Sequence, residues 1–179
     1  MPCLACTGRG DVCGPCRRSL RRASARTLPN GLLVLSAYRH EGAARTLVRR
    51  LKYQGIEAAA DLLAPNMAAG LQGVSALVPV PRVLIRRVRY GIDQSDCLAR
   101  ALGTLTGLPV LRLLRAPLWT PPRAGRNQSA FGPVLAARAT GELALALVDD
   151  VVTTGATLVS AVGALSVSPI VAVTATSAL

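Results

Sequence analysis

Six apolar residues, Leu143-Ala144-Leu145-Ala146-Leu147-Val148, run directly into two adjacent carboxylates, Asp149 and Asp150. Val151 and Val152 follow, and then the small-residue stretch Thr153-Thr154-Gly155-Ala156-Thr157 opens a segment with helical character. An unbroken apolar run of this length, ended by charge, suits a strand buried on both faces of a parallel sheet. A Gly- and Thr-containing loop leading into a helix lets backbone N–H groups close around an anion. Strand, paired acids and loop therefore predict an α/β domain whose ligands sit at the carboxyl ends of its strands. Asp149 and Asp150 suit a ligand that offers vicinal hydroxyls beside a phosphate. A plain strand–loop–helix turn, capped by Asp and Thr, is the alternative.

Composition narrows the chemistry. A chain of 179 residues is long enough to bury a real core. With 51% hydrophobic residues, 3% aromatic and a mean hydropathy of +0.40, that core must be Ala, Val and Leu. The single histidine, His40, argues against Ser-His-Asp catalysis and multi-histidine metal sites, and reads as a surface or hydrogen-bonded loop residue. Residues 151–179 carry no charge, which resembles a membrane span in composition. Gly155, Gly163 and Pro169 interrupt them, and a proline stops a helix near residue 167. A buried helix (156–166) followed by a buried strand (170–176) is expected instead, in a protein that is not integral to a membrane. The N-terminus shows no secretory signal, so a cytoplasmic location is expected.

Cys3 and Cys6 form one Cys-x-x-Cys knuckle, and Cys13 and Cys16 form a second after six intervening residues. Two such knuckles can place four thiolates around one tetrahedral zinc ion. Gly8, Gly10, Gly14 and Pro15 supply the turns. The second knuckle, Cys13-Gly14-Pro15-Cys16, also spells a thioredoxin-type redox motif, although only twelve residues precede it. Disulfides are the remaining alternative. Cys97 falls inside a helical pattern, Gln94 to Gly107, and reads as a small core residue.

The formal net charge is +12, and Lys52 is the only lysine among 21 basic residues. Eleven of the 21 lie between Arg9 and Lys52, with Arg17, Arg18, Arg21, Arg22 and Arg26 inside ten positions. Arginine is always charged and binds phosphate bidentately, so nucleic acid, nucleotide or polyphosphate partners are expected. A solvated basic face reflecting compositional bias is the alternative. The scarcity of aromatics argues against base-stacking recognition of single strands.

A coarse pass places a strand at Leu32 to Tyr38 and helices at 43–53 and 56–72. A short strand, Ala76 to Val80, runs into Pro81-Arg82. The basic loop Arg86-Arg87-Val88-Arg89-Tyr90-Gly91 comes next, then the 94–107 helix and a strand at Pro109 to Leu114. A loop over 116–133 carries four prolines. The expected organisation is a zinc module with an arginine-rich tail, residues 1–26, and an α/β domain, residues 27–179, with a mostly parallel central sheet flanked by helices.

The stretch 143–157 resembles the phosphoribosyl pyrophosphate (PRPP) motif of type I phosphoribosyltransferases, in which an apolar strand, two acids and a Thr-Thr-Gly-x-Thr loop follow one another. Further features narrow the resemblance. They are the four-cysteine module, Tyr38, the helix ending Leu51-Lys52-Tyr53-Gln54-Gly55, and Val78-Pro79-Val80-Pro81-Arg82. The loop containing Gly91 and Gln94, the Thr120-Pro121-Pro122 turn and Asn127-Gln128-Ser129-Ala130-Phe131 complete the set. Together they are similar to the ComF family of competence-associated phosphoribosyltransferase-like proteins, over nearly the full chain. The chain departs from the family at Tyr90-Gly91-Ile92-Asp93-Gln94, usually Arg-Gly-Phe-Asn-Gln. It departs again at Arg123, usually Gln, and in a shortened stretch before Asn127.

The resemblance implies transfer of a phosphoribosyl group from PRPP with loss of magnesium pyrophosphate. Asp149 and Asp150 would hold the ribose hydroxyls, directly or through Mg²⁺. Thr153, Thr154, Gly155, Ala156 and Thr157 would hold the 5′-phosphate, and Pro81, Arg82, Arg86, Arg87 and Arg89 would face pyrophosphate. Two function classes follow: a transferase acting on an unidentified acceptor, or a catalytically silent factor that binds PRPP and DNA alongside other competence proteins.

Overall fold

The computed structural model describes residues 2–8, 10–81, 92–115, 132–133 and 143–178. The central sheet has five strands in the order β1-β2-β7-β6-β3. These are β1 (Arg26–Thr27), β2 (Leu33–Arg39), β3 (Ala76–Pro79), β6 (Leu145–Val152) and β7 (Val171–Ser177). Only β1 runs antiparallel to its neighbour, and β2, β7, β6 and β3 are mutually parallel. A small antiparallel pair, β4 (Leu114–Arg115) and β5 (Gly132–Pro133), stands apart. The helices are α1 (Gly14–Arg18), α2 (Gly42–Gln54), α3 (Ala58–Ala68), α4 (Gln94–Thr106) and α5 (Ala156–Gly163).

The apolar run of β6 is buried on both faces, as its unbroken hydrophobicity requires. Ala146 and Val148 join a cluster with Leu47, Leu51, Leu63, Met67, Leu98 and Leu102, which belong to α2, α3 and α4. Leu145 and Leu147 join a second cluster with Val78, Leu158 and Ala161, on the side of α5. Helices therefore cover both faces of the sheet. Small side chains let them approach closely. A Cβ on Gly70, at the end of α3, would meet Val173 Cγ1 at 3.0 Å.

The chain leaves β3 through α4 and returns beside it at Val110, where Leu77 N–H donates to Pro109 O at 2.9 Å and Leu111 N–H to Leu77 O at 2.8 Å. It leaves β6 through α5 in the other direction, to β7. The strand order reverses between β3 and β6, and at such a point the carboxyl ends of open α/β sheets leave a crevice.

Most expected elements are present within a few residues. The strand expected over Pro109 to Leu114 is reduced to the single bridge at Val110, closed by the Leu111 amide, and the two-residue β4, with Arg112 and Leu113 between them outside any strand. The loop expected over 116–133 ends in strand structure, since Gly132 and Pro133 pair with Arg115 and Leu114. The helix expected to reach 72 stops at Ala68, where turns take over through Leu71.

The four-cysteine segment lies against the α/β core. Leu4, Ala5 and Leu20 pack on the first cluster. Arg50 Nη1 donates to Cys3 O at 3.2 Å, and Ala43 N–H, in the first turn of α2, donates to Ser19 Oγ at 3.3 Å. Among the described residues no helix is long and apolar enough to cross a membrane.

Candidate functional site

The first turn of α1 begins just after Cys13, with Pro15 in its opening positions, and this brings Cys13 and Cys16 back towards the first knuckle. The ligand atoms of Cys3, Cys6, Cys13 and Cys16 all lie within 4.8 Å of one another. A tetrahedral zinc with Zn–S bonds of about 2.3 Å needs S···S edges of about 3.8 Å. Cys6 Sγ and Cys13 Sγ are 3.5 Å apart, so the set is already near that size. Backbone amides favour thiolate here: Cys13 N–H donates to Cys3 Sγ at 3.3 Å and Gly8 N–H to Cys6 Sγ at 3.2 Å. The amide of Cys13 is the main reason the Cys3 thiol is lowered to about 6. Hydrogen bonds with the neighbouring thiols of Cys6 and Cys13 push Cys16 up to about 12. A Cβ on Gly8 would lie 3.3 Å from Cys6 Sγ, so glycine keeps the cluster clear. All five cysteines are free thiols, and Cys97 is buried. The four-cysteine cluster can hold a metal ion such as zinc.

At the carboxyl end of β6 the two acids are each only 9% exposed. Ser95 Oγ, in the first turn of α4, donates to Asp149 Oδ1 at 3.0 Å, and Asp150 N–H donates to the same oxygen at 2.8 Å. Burial, and then the charge of Asp150, push the Asp149 carboxyl up to about 8. The protonated form of Asp149 is therefore favoured over that of an ordinary carboxyl. Lys52 Nζ, from the last turn of α2, lies 3.4 Å from Asp150 Oδ2. That oxygen is buried and makes no hydrogen bond, so the pair is an ionic contact without hydrogen-bond alignment.

His40 stands at the end of β2, half-buried, with Nδ1 2.8 Å from Thr176 Oγ1. The same hydroxyl donates to Asp150 O at 3.4 Å. Burial first, then the charge of Arg45, hold the imidazole below its ordinary pKa. The lone histidine is thus a hydrogen-bonded residue at the rim of the acid pair. That agrees with its expected place as a hydrogen-bonded loop residue, and the parallel register that levels Arg39 with Ser177 sets which partner it meets.

The loop after β6 is the exposed part of the site. Thr153, Thr154, Ala156 and Thr157 are exposed while Gly155 is buried. Gly155 is the N-cap of α5 at φ +81°, a left-handed conformation that favours glycine, and an added Cβ would strike the side chain of Leu28. Ala156 N–H donates to Thr154 Oγ1 at 3.3 Å. The first-turn amides beyond it have no intrahelical acceptor and carry the positive end of the helix dipole. Arg26 Nη1 donates to Thr153 O at 2.8 Å, which ties the arginine-rich segment to this loop. Across the crevice, Val80 N–H donates to Val148 O at 2.9 Å, so β3 delivers Pro81 to the level of the acid pair.

The structure thus brings Asp149, Asp150, the 153–157 loop and Pro81 to one end of the sheet, and adds Lys52, Ser95, His40 and Thr176. Arg82, Arg86, Arg87 and Arg89 lie outside the described residues, as do Arg123 and 126–131. The N-terminal arginines Arg17, Arg18, Arg21 and Arg22 are exposed, and none forms an ion pair with a described acidic residue. No protein-family model matches the chain, and no curated protein matches it.

Proposed function

We propose that the chain binds PRPP at the carboxyl end of β6 and transfers its phosphoribosyl group to an acceptor, with release of pyrophosphate, on a type I phosphoribosyltransferase-like fold. The observation that carries this reading is positional. Asp149 and Asp150 occupy the crevice where strand order reverses, and an exposed Thr-Gly loop at a helix N-terminus follows them directly. Each part of PRPP meets a matching chemistry. The 5′-phosphate faces amides and hydroxyls of Thr153–Thr157, and the ribose diol faces the acid pair. The pyrophosphate faces the segment that begins at Pro81 and continues into Arg82, Arg86, Arg87 and Arg89.

Bond breaking at the anomeric carbon develops positive charge on the sugar, so positioning and electrostatics supply most of the catalysis. Asp149 and Asp150 receive the sugar hydroxyls, and Ser95 holds Asp149 in orientation. Magnesium would come with the pyrophosphate of the ligand, because Asp150 already faces Lys52. Zinc on Cys3, Cys6, Cys13 and Cys16 is structural: four sulfurs leave no open position for a substrate.

The exposed, unpaired arginines at 17, 18, 21 and 22 favour a second reading. In it, a ComF-like protein of the cytoplasm keeps PRPP affinity and acts with DNA and other competence proteins during DNA uptake. Incubation with PRPP, Mg²⁺ and a panel of nucleobases separates the two. Pyrophosphate release that depends on one base supports the transferase. PRPP binding with no release under any base supports the accessory role.

A further inference from the structure

Two carboxylates side by side suggest a divalent-cation site, and their environment argues otherwise. Lys52 sits on α2, whose neighbouring Leu47, Val48 and Leu51 are buried in the core, and the helix ends at Gly55 with φ +66°. The ammonium is therefore delivered by a fixed element, 3.4 Å from Asp150 Oδ2. That oxygen is buried and accepts no hydrogen bond. The neighbouring acid is occupied differently, since Asp149 Oδ1 takes both the Ser95 hydroxyl and the Asp150 amide. A divalent ion on Asp150 Oδ2 would stand within a few ångströms of an ammonium, and like charges at that range repel strongly in a half-buried site. A hydroxyl meets no such conflict. It can donate to the part of the Asp150 side chain that stays accessible, 12% of its surface, while Lys52 remains on the buried Oδ2.

We propose that Lys52 is the built-in counter-ion of the acid pair, standing where a divalent cation would otherwise sit, so that Asp150 receives sugar hydroxyls directly. The inference rests on the sugar-phosphate reading of the site and deepens it. Magnesium reaches this protein only on the ligand's phosphate oxygens, and Lys52 is a positioning residue for Asp150.

Lys52 is the only lysine of the chain, so ¹³C-lysine labelling of the zinc-loaded protein gives one side-chain signal to follow by NMR. Asp150→Asn is expected to move that Cε resonance towards its free-lysine position, and an unmoved resonance overturns the ion pair. A second arm titrates Mn²⁺, read by water-proton relaxation, with no sugar phosphate present. Wild type and Lys52→Arg should show no Mn²⁺ site that depends on Asp150. Lys52→Met, which keeps the apolar stem, should gain one, because the repelling charge is gone, and adding Asp150→Asn should abolish it. An Asp150-dependent Mn²⁺ site in wild type, or none gained in folded Lys52→Met, overturns the proposal. Neither arm uses PRPP, so failure to bind PRPP would strike the functional reading and leave the role of Lys52 standing on its own result.

Discussion

The hydroxyl of Ser95 on α4 donates to Asp149 on β6 across 3.0 Å, and so ties the helix that leaves β3 to the strand that carries the acids. The burial of Asp149, which this contact only partly offsets, makes the site sensitive to pH. Folding raises the Asp149 pKa from the ordinary carboxyl value of 3.8 to about 8, so between these values the folded chain holds a proton that the unfolded chain has lost. Stability from this group is full below the lower value and is lost as pH rises towards 8. Chemical denaturation of wild type and Asp149→Asn across pH 4 to 9 checks it. The wild type should lose stability relative to the variant as pH rises, and parallel curves would contradict the assignment. Ser95→Ala should raise the Asp149 titration further, since the hydroxyl favours the ionised form.

Gly155 and Leu28 form a second coupled pair. Gly155→Ala places a side chain at positive φ, which costs about 1–2 kcal/mol by backbone strain alone. The new Cβ also collides with Leu28. Leu28→Ala should therefore relieve part of the cost, with a coupling energy of about 0.5–3 kcal/mol in a double-mutant cycle. Additive losses would show that Leu28 does not press on this turn. The same contact means that loss of ligand binding in a Gly155 variant is not by itself evidence for a phosphate cradle.

The four-cysteine segment is bound to the rest of the fold through Leu4, Ala5, Leu20 and the Arg50–Cys3 contact. One zinc per chain is expected by elemental analysis, and Cys13→Ser should abolish it. Chelation should lower the thermal midpoint and open the amides of residues 3–20 to hydrogen exchange while β6 and β7 stay protected. Metal-replete protein that contains no zinc would contradict the cluster assignment.

Much of this was legible in the sequence because burial writes itself plainly. The run 143–148 suited a strand covered on both faces, which β6 forms from Leu145, and the helical patterns at 43–53 and 94–107 marked α2 and α4 almost to the residue. The Cys-x-x-Cys spacing announced the cluster for the same local reason. What stayed hidden depends on register between distant segments. His40 meets Thr176 and Lys52 meets Asp150 only because β2, β7 and β6 are parallel and level at their ends. Ser95 looked like one polar residue in a helix start, and nothing local linked it to Asp149. The weak pairing over 109–115 was overestimated because a single inter-strand bridge leaves no periodic trace.

DNA binding, if it uses the arginine cluster, should be independent of sequence and fall with salt. Arg26 already holds the Thr153 carbonyl, so Arg17, Arg18, Arg21 and Arg22 are the free set. Neutralising those four should flatten the log–log salt dependence on duplex by up to about 3.6 units, at about 0.9 for each lost phosphate contact. An unchanged slope would reduce the cluster to a solvated face.

The central claim is that the acid pair and the loop after it form a PRPP site, and calorimetry of the zinc-loaded chain with PRPP and Mg²⁺ tests it most directly. Replacing Asp149 and Asp150 with Asn keeps their shape and removes the charge that accepts the ribose hydroxyl. Charge-assisted hydrogen bonds contribute about 1.5–3 kcal/mol each, so affinity should drop at least ~10-fold, with most of the loss already present in Asp150→Asn alone. No measurable binding by wild type, or equal affinity for wild type and the double variant, would contradict the account.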